Sequence, residues 1–165
     1  MAKITLGGNA TNTNGTLPAI GTKIDIYTFI KNDMSPVSLN DFHGRNLILN
    51  IFPSVDTSVC ATSVRTFNKE AAKMQNTAVL CISKDLPFAL NRFCGAEGIE
   101  NVVVASDFNV PQFAEDMGLK IVDGAFQGLD SRVIIVLDVE GKVKYTEQVP
   151  EIGHEPNYEA ALAAL

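Results

Sequence analysis

The residues best suited to chemistry lie in Asn50-Ile-Phe-Pro-Ser-Val-Asp-Thr-Ser-Val-Cys60, where Pro53, Thr57 and Cys60 are spaced as Pro-x-x-x-Thr-x-x-Cys. An apolar run, Asn46–Phe52, precedes the motif, and residues with helical apolar spacing follow it (Val59, Val64, Phe67, Ala71, Met74). This predicts a strand, a short loop, and a helix with Cys60 in its first turn. The first N–H groups of a helix lack intrahelical partners and favour negative charge. A thiol placed there is a candidate nucleophile, because the thiolate is the reactive form of cysteine. The Thr57 hydroxyl can donate to the sulfur or to an oxygen bound beside it, and can also accept. Pro53 fixes the backbone leaving the strand and can shield the sulfur from water.

The same residues admit a second reading, in which Thr57 caps a helix and Cys60 packs on the sheet. The other cysteines are Cys81 and Cys94. Cys81 lies in the apolar run Ala78-Val-Leu-Cys-Ile and reads as a buried structural thiol. Cys94, in Asn91-Arg-Phe-Cys-Gly-Ala-Glu-Gly, reads as a core residue beside Phe93 or as a partner thiol for an oxidised Cys60. Gly95 and Gly98 weaken the end of its helix. Arg132 opens the apolar segment Arg-Val-Ile-Ile-Val-Leu-Asp. An arginine there is commonly solvated or ion-paired. Arg65 and Arg92 are alternative cations, with Arg65 expected to pair with nearby carboxylates. His43 and His154 stand alone and read as structural or exposed, and Asp56 is expected to face solvent.

The elements that position these residues alternate. After Asn46–Phe52 come strands at Thr77–Ser83 and Asn101–Ser106, and helices at Leu86–Glu97 and Val110–Met117. Arg132–Asp138 and Lys142–Gln148 form a hairpin around Glu140-Gly141, and Pro156–Leu165 is an Ala-rich final helix. Short β-like pieces surround Asp25–Ile30, and Pro36–Gly44 reads as a turn leading into the first buried strand. Residues 1–20 form an N-terminal hairpin extension with a polar turn near Asn14-Gly15. The expected fold is a single α/β domain over residues 1–165, with a thioredoxin-like central mixed sheet flanked by helices. Cys60 then lies in the loop after a parallel strand, the usual place for a site in open α/β sheets.

The chain has 165 residues, 46% of them hydrophobic, and a net charge of −6 without a basic block. Nucleic acid and anionic membrane surfaces are therefore not expected as partners. No apolar run approaches the ~20 residues of a membrane span. No signal peptide is read, so a reducing cytoplasm is the expected compartment. Three cysteines without a Cys-x-x-Cys pair suit neither a secreted disulfide scaffold nor a metal site. The missing Cys-x-x-Cys also argues against a general dithiol-disulfide oxidoreductase.

The Cys60 motif resembles the active-site motif of peroxiredoxins. Together with Ser38-Leu-Asn-Asp-Phe, Asn91-Arg-Phe-Cys, Ser106-Asp and Ser131-Arg132, it is similar to the thiol peroxidase branch, the atypical two-cysteine peroxiredoxins. The resemblance covers nearly the whole chain. It implies reduction of hydrogen peroxide and organic hydroperoxides without a metal or organic cofactor. It also implies Cys60 as peroxidatic thiol, Cys94 as resolving thiol in the same chain, and Arg132 in contact with thiolate and peroxide, with Thr57 and Pro53 completing the site. Thioredoxin as reductant and a homodimer with its interface near the active-site loops are further implications. A peroxide-sensing relay protein with little turnover, or a structural domain with inert thiols, would use the same sequence differently. The apolar residues Phe52, Val55, Val59, Phe93 and Phe126 are compatible with a pocket for bulky hydroperoxides and equally with core packing.

Overall fold

The computed structural model describes residues 1–165. Nine strands and four helices form in the order β1 (Lys3–Leu6), β2 (Asn9–Asn12), β3 (Thr28–Lys31), β4 (Pro36–Ser38), β5 (Asn46–Ile51), α1 (Ser58–Ala71), β6 (Thr77–Ser83), α2 (Pro87–Glu97), β7 (Val103–Ser106), α3 (Gln112–Asp116), β8 (Val133–Leu137), β9 (Val143–Gln148) and α4 (Tyr158–Ala163). Seven strands make one mixed sheet in the order β4-β3-β7-β6-β5-β8-β9. Strands β5, β6 and β7 are mutually parallel, and β8 runs antiparallel to β5.

Alternating side chains divide the core between the two faces of the sheet. Leu47, Leu49, Ile51, Leu80, Ile82, Ile135 and Leu137 point to the face covered by Phe113 and Ala114 of α3 and by the segment containing Ile24, Phe29 and Phe42. Ile48, Val79, Cys81, Ile134 and Val136 point to the other, which receives Cys60, Val64 and Phe67 of α1, Leu90 and Cys94 of α2, and Ala161 of α4. The largely apolar character of β5, broken after its first residue only by buried Asn50, follows from this, since it is covered on both sides. Each fully buried Val or Phe here contributes about 1.5–3 kcal/mol.

Register brings the chemistry to one edge of the sheet. Ile51 at the end of β5 pairs with Val133 at the start of β8, so Arg132 arrives beside the loop that carries Cys60. Val133 also pairs with Gln148 at the end of β9, which brings Glu151 to Gly153 to the same edge. Phe52 N–H donates to the Ile82 carbonyl at 3.1 Å, so the end of β6 abuts the loop as well.

Two local expectations are revised. The N-terminal hairpin turns at Gly7-Gly8, with φ of +57° and +83°, and not near Asn14-Gly15. A two-residue turn with both φ values positive suits two glycines. Gly15 instead permits close approach, because a Cβ there would lie 3.2 Å from Gly118 Cα. Pro36–Ser38 is itself a short edge strand, followed by a 3₁₀ turn at Leu39–Phe42 that Ser38 and Asp41 cap reciprocally.

Candidate active site

Cys60 is the third residue of α1 and is fully buried. Thr57 is the N-cap, and its Oγ1 accepts from Cys60 N–H at 3.4 Å. The same hydroxyl donates to the Ser54 carbonyl at 3.1 Å. A hydroxyl has one proton, so Thr57 in this state shapes the turn and makes no hydrogen bond to the sulfur. Of the roles the sequence left open to it, the structure shows the capping one. Pro53 is buried at the exit from β5.

Arg132 is 1% exposed. Its Nε donates to the Ile152 carbonyl at 2.9 Å and its Nη2 to Cys60 Sγ at 3.2 Å. Nη1 has no partner within the protein. A buried guanidinium with only a carbonyl and a sulfur as partners lacks a carboxylate counter-charge, a role an anionic sulfur would fill. The free Nη1 donors remain for a ligand.

A cavity of about 200 Å³ opens at this point. Arg132 and Thr57 line it together with apolar walls from Leu6, Val59, Phe126 and Ile152. Of the five apolar residues considered from sequence, Val59 and Phe126 line the cavity. Phe52 and Val55 are buried in the core, and Phe93 packs against its margin. Leu6 and Ile152 had no motif to mark them. They belong together because Ile152 N–H donates to the Thr5 carbonyl, Thr5 N–H donates to the Pro150 carbonyl, and Ile4, Ile121 and Ile152 form a small separate core under the hairpin.

Cys94 is 8% exposed, in the last turn of α2, and belongs to the same apolar cluster as Cys60. Burial raises its thiol pKa. Gly98 ends α2 with φ +64°, and the Cys94 carbonyl accepts from Ile99 N–H at 3.1 Å. Cys81 is fully buried in β6, and burial, opposed in part by a hydrogen bond from Asn50, pushes its pKa up to about 12. All three thiols are free. Arg65 forms a two-pronged pair with Glu97, at 2.7 and 2.9 Å, which links α1 to the end of α2. Arg92, His43, His154 and Asp56 are exposed.

Two further polar groups shape this edge. Asp85 accepts from Ser54 Oγ, Val55 N–H and Ser83 Oγ at 2.6, 2.8 and 2.6 Å. Lys84 sits between buried Asp107 and Asp130, at 2.7 and 3.3 Å, and burial raises the pKa of both acids. The position of Ser83-Lys-Asp85 after the parallel strand next to β5 was the available signal for them.

The model of the family described as Redoxin matches residues 13–162. The chain belongs to the redoxin family. Its relatives include proteins named thiol peroxidase from Mycobacterium tuberculosis, 58% identical, and from Corynebacterium glutamicum, 55% identical, each over all of this chain and 99% of the relative. Among solved structures, a peroxiredoxin-like protein from Aquifex aeolicus superposes with a TM-score of 0.92 at 34% identity, covering 99% of this chain and 96% of that one. The thiol peroxidase from Chromobacterium violaceum superposes at 0.89 with 18% identity, covering 98% and 93%, and shares the fold. The thioredoxin-like sheet expected from the sequence is thus the redoxin fold. No helix is long and apolar enough to cross a membrane.

Proposed function

We infer that this redoxin-family chain is a thiol-dependent peroxidase that reduces hydrogen peroxide and organic hydroperoxides in antioxidant defence. The observation that carries the reading is the buried Arg132 fork, with one arm on Cys60 Sγ and the other free beside an apolar cavity.

In the proposed cycle the Cys60 thiolate attacks the terminal peroxide oxygen in line with the O–O bond. That bond breaks and its electron pair leaves on the alkoxide or hydroxide, which is protonated to alcohol or water. Sulfur is oxidised by two electrons to the sulfenic acid, and the peroxide is reduced by two. Arg132 Nη1, aimed at neither protein acceptor, would hold the oxygens and stabilise the departing charge. Thr57 acts by fixing the first turn of α1, and Pro53 by closing the strand exit.

Cys94 would then displace water from the sulfenic acid to form an intramolecular disulfide. Both cysteines lie within helices, so bonding requires local unwinding. Helix α2 buries only Pro87, Leu90 and Cys94, and Gly95 is exposed near its end, which makes that end inexpensive to open. Thioredoxin would return both thiols by exchange in a reducing cytoplasm. A homodimer interface is supported by exposed Leu86, Phe88 and Phe108, which follow β6 and β7 at the site edge.

One equivalent of hydroperoxide added to reduced protein, followed by alkylation and peptide mapping, tests the reading. A Cys60–Cys94 bond with Cys81 alkylated is the expected result. Three untouched thiols would overturn it.

A further inference from the structure

We propose that Asp85 is a positioning residue that latches the Cys60 loop in its peroxide-reactive conformation and, by holding it, sets the balance between disulfide formation and over-oxidation. The proposal rests on the peroxidase reading above.

Asp85 directly precedes Leu86, the N-cap of α2, a helix start with no side-chain cap. Its carboxylate reaches away from that helix to the β5–α1 loop. There it accepts from Ser54 Oγ at 2.6 Å and Val55 N–H at 2.8 Å. An unbroken hydrogen-bond path continues from Ser54. The Ser54 carbonyl accepts from Thr57 N–H at 3.2 Å and from Thr57 Oγ1 at 3.1 Å, and Oγ1 accepts from Cys60 N–H. The latch is itself held. Ser83 Oγ donates to Asp85, and Lys84 is fixed between the buried Asp107 and Asp130. A carboxylate with three donors on a fixed backbone is a pre-organised anchor.

The loop that Asp85 holds leads into the turn that presents Cys60 to Arg132. It must also release before Cys60 can meet Cys94. The sulfenic acid at Cys60 has two fates. It can condense with the Cys94 thiol, releasing water and forming the S–S bond. Alternatively, a second hydroperoxide can oxidise it by two further electrons to the sulfinic acid, leaving a second alcohol. A tight latch favours the reactive site and delays release, so both the first oxidation and the second are promoted relative to the disulfide. Loosening it slows both oxidations and favours disulfide formation.

The test is quench-flow with thiol trapping and mass spectrometry on the full chain, comparing wild type, Asp85→Ala and Ser54→Ala. Asp85→Ala is expected to slow sulfenic acid formation by about tenfold and to lower the sulfinate-to-disulfide ratio at fixed excess peroxide by a similar factor. Ser54→Ala leaves Asp85 and the Val55 bond in place. It is expected to show the same two decreases at about threefold, and it serves if the first variant does not fold. Asp85→Asn, which keeps an acceptor oxygen, should fall between wild type and alanine. A loss of thermal stability with the ratio unchanged, or sulfenic acid formation and disulfide formation slowed together, would overturn the latch. Wild type that forms no sulfenic acid would instead overturn the peroxidase reading.

Discussion

Arg132 Nη2 lies 3.2 Å from Cys60 Sγ across 72 residues of sequence, and Arg132 Nε is held by the Ile152 carbonyl. The carbonyl orients the fork, whose one arm lies on sulfur and whose other has no protein partner, in a residue that lines the cavity. Lysine keeps the charge but cannot make both contacts. Arg132→Lys is expected to slow sulfenic acid formation by about tenfold, and Arg132→Met by about a hundredfold. Rates equal to wild type, measured under pseudo-first-order peroxide, would remove Arg132 from the site.

Cys94→Ser tests the second thiol. The Cys60 sulfenic acid should still form, because Cys94 makes no hydrogen bond to the Arg132–Cys60 pair. The intramolecular disulfide should not form, and turnover supported by thioredoxin should stop once Cys60 is oxidised. A Cys60–Cys81 disulfide in this variant, seen by peptide mapping, would count against the assignment.

Thr57 couples stability to chemistry, and two substitutions test the link. Thr57→Ser keeps the hydroxyl that accepts from Cys60 N–H and donates to Ser54. It should retain both stability and rate. Thr57→Val removes the cap and should cost about 1 kcal/mol, a fall of roughly 2–4 °C in Tm for a chain of this size. The peroxide rate should fall with it, since the same bond orients the first turn of α1.

Much of this edge was legible in the sequence because its elements are local. Thr77–Ser83 forms a strand with the expected boundaries, since an apolar β-rich run there ends at polar residues. The Cys60 helix begins where Thr57 can cap it. Arg132 was different. A strand-start arginine is ordinarily solvated, and only the Ile51–Val133 register, a pairing distant in sequence, buries it. The Ile152 carbonyl and the Asp85 carboxylate act across strands and carry no local pattern. The hairpin turn was misplaced for a related reason. Asn14-Gly15 and Gly7-Gly8 both suit a turn locally, and only the β1–β2 register, Leu6 opposite Asn9, distinguishes them.

Cys81 should be silent toward chemistry in the folded chain. Burial pushes its pKa up to about 12, so at pH 8 almost none is thiolate. Iodoacetamide at pH 8 is expected to leave it unmodified in native protein and to label it fully in denaturant. The linkage has a definite sign. An unfolded thiol ionises near pH 9, so this group's contribution to stability is complete below that pH and is lost as pH rises toward 12. Labelling of native Cys81 at a rate matching an exposed thiol would contradict its burial.

Glu151 ties the hairpin to the site and should make that tie acid-sensitive. Its carboxylate accepts from Thr5 Oγ1, at 2.5 Å, and from the N–H groups of Gly153, Gly7 and Gly8, at 2.9, 2.9 and 3.1 Å. The Thr5 hydroxyl, followed by these amides, lowers its pKa from 4.5 to about 2. A depressed acid stabilises above its unfolded pKa and loses that contribution as pH falls through its folded one. The tie should therefore be intact above about pH 4.5 and should loosen toward pH 2. Asp123, which holds Thr11 and Asn12 of the same hairpin, is lowered in the same direction, so acid alone does not isolate Glu151. Glu151→Gln does. Amide protection factors at Gly7, Gly8 and Gly153 should fall at pH 6 in the variant and lose most of their dependence on acid. Because Leu6 walls the cavity and Ile152 holds Arg132, the peroxide rate should fall alongside them. Protection at these amides that is unchanged by the substitution would show that the hairpin is held by its backbone pairing to Pro150 and Ile152 alone.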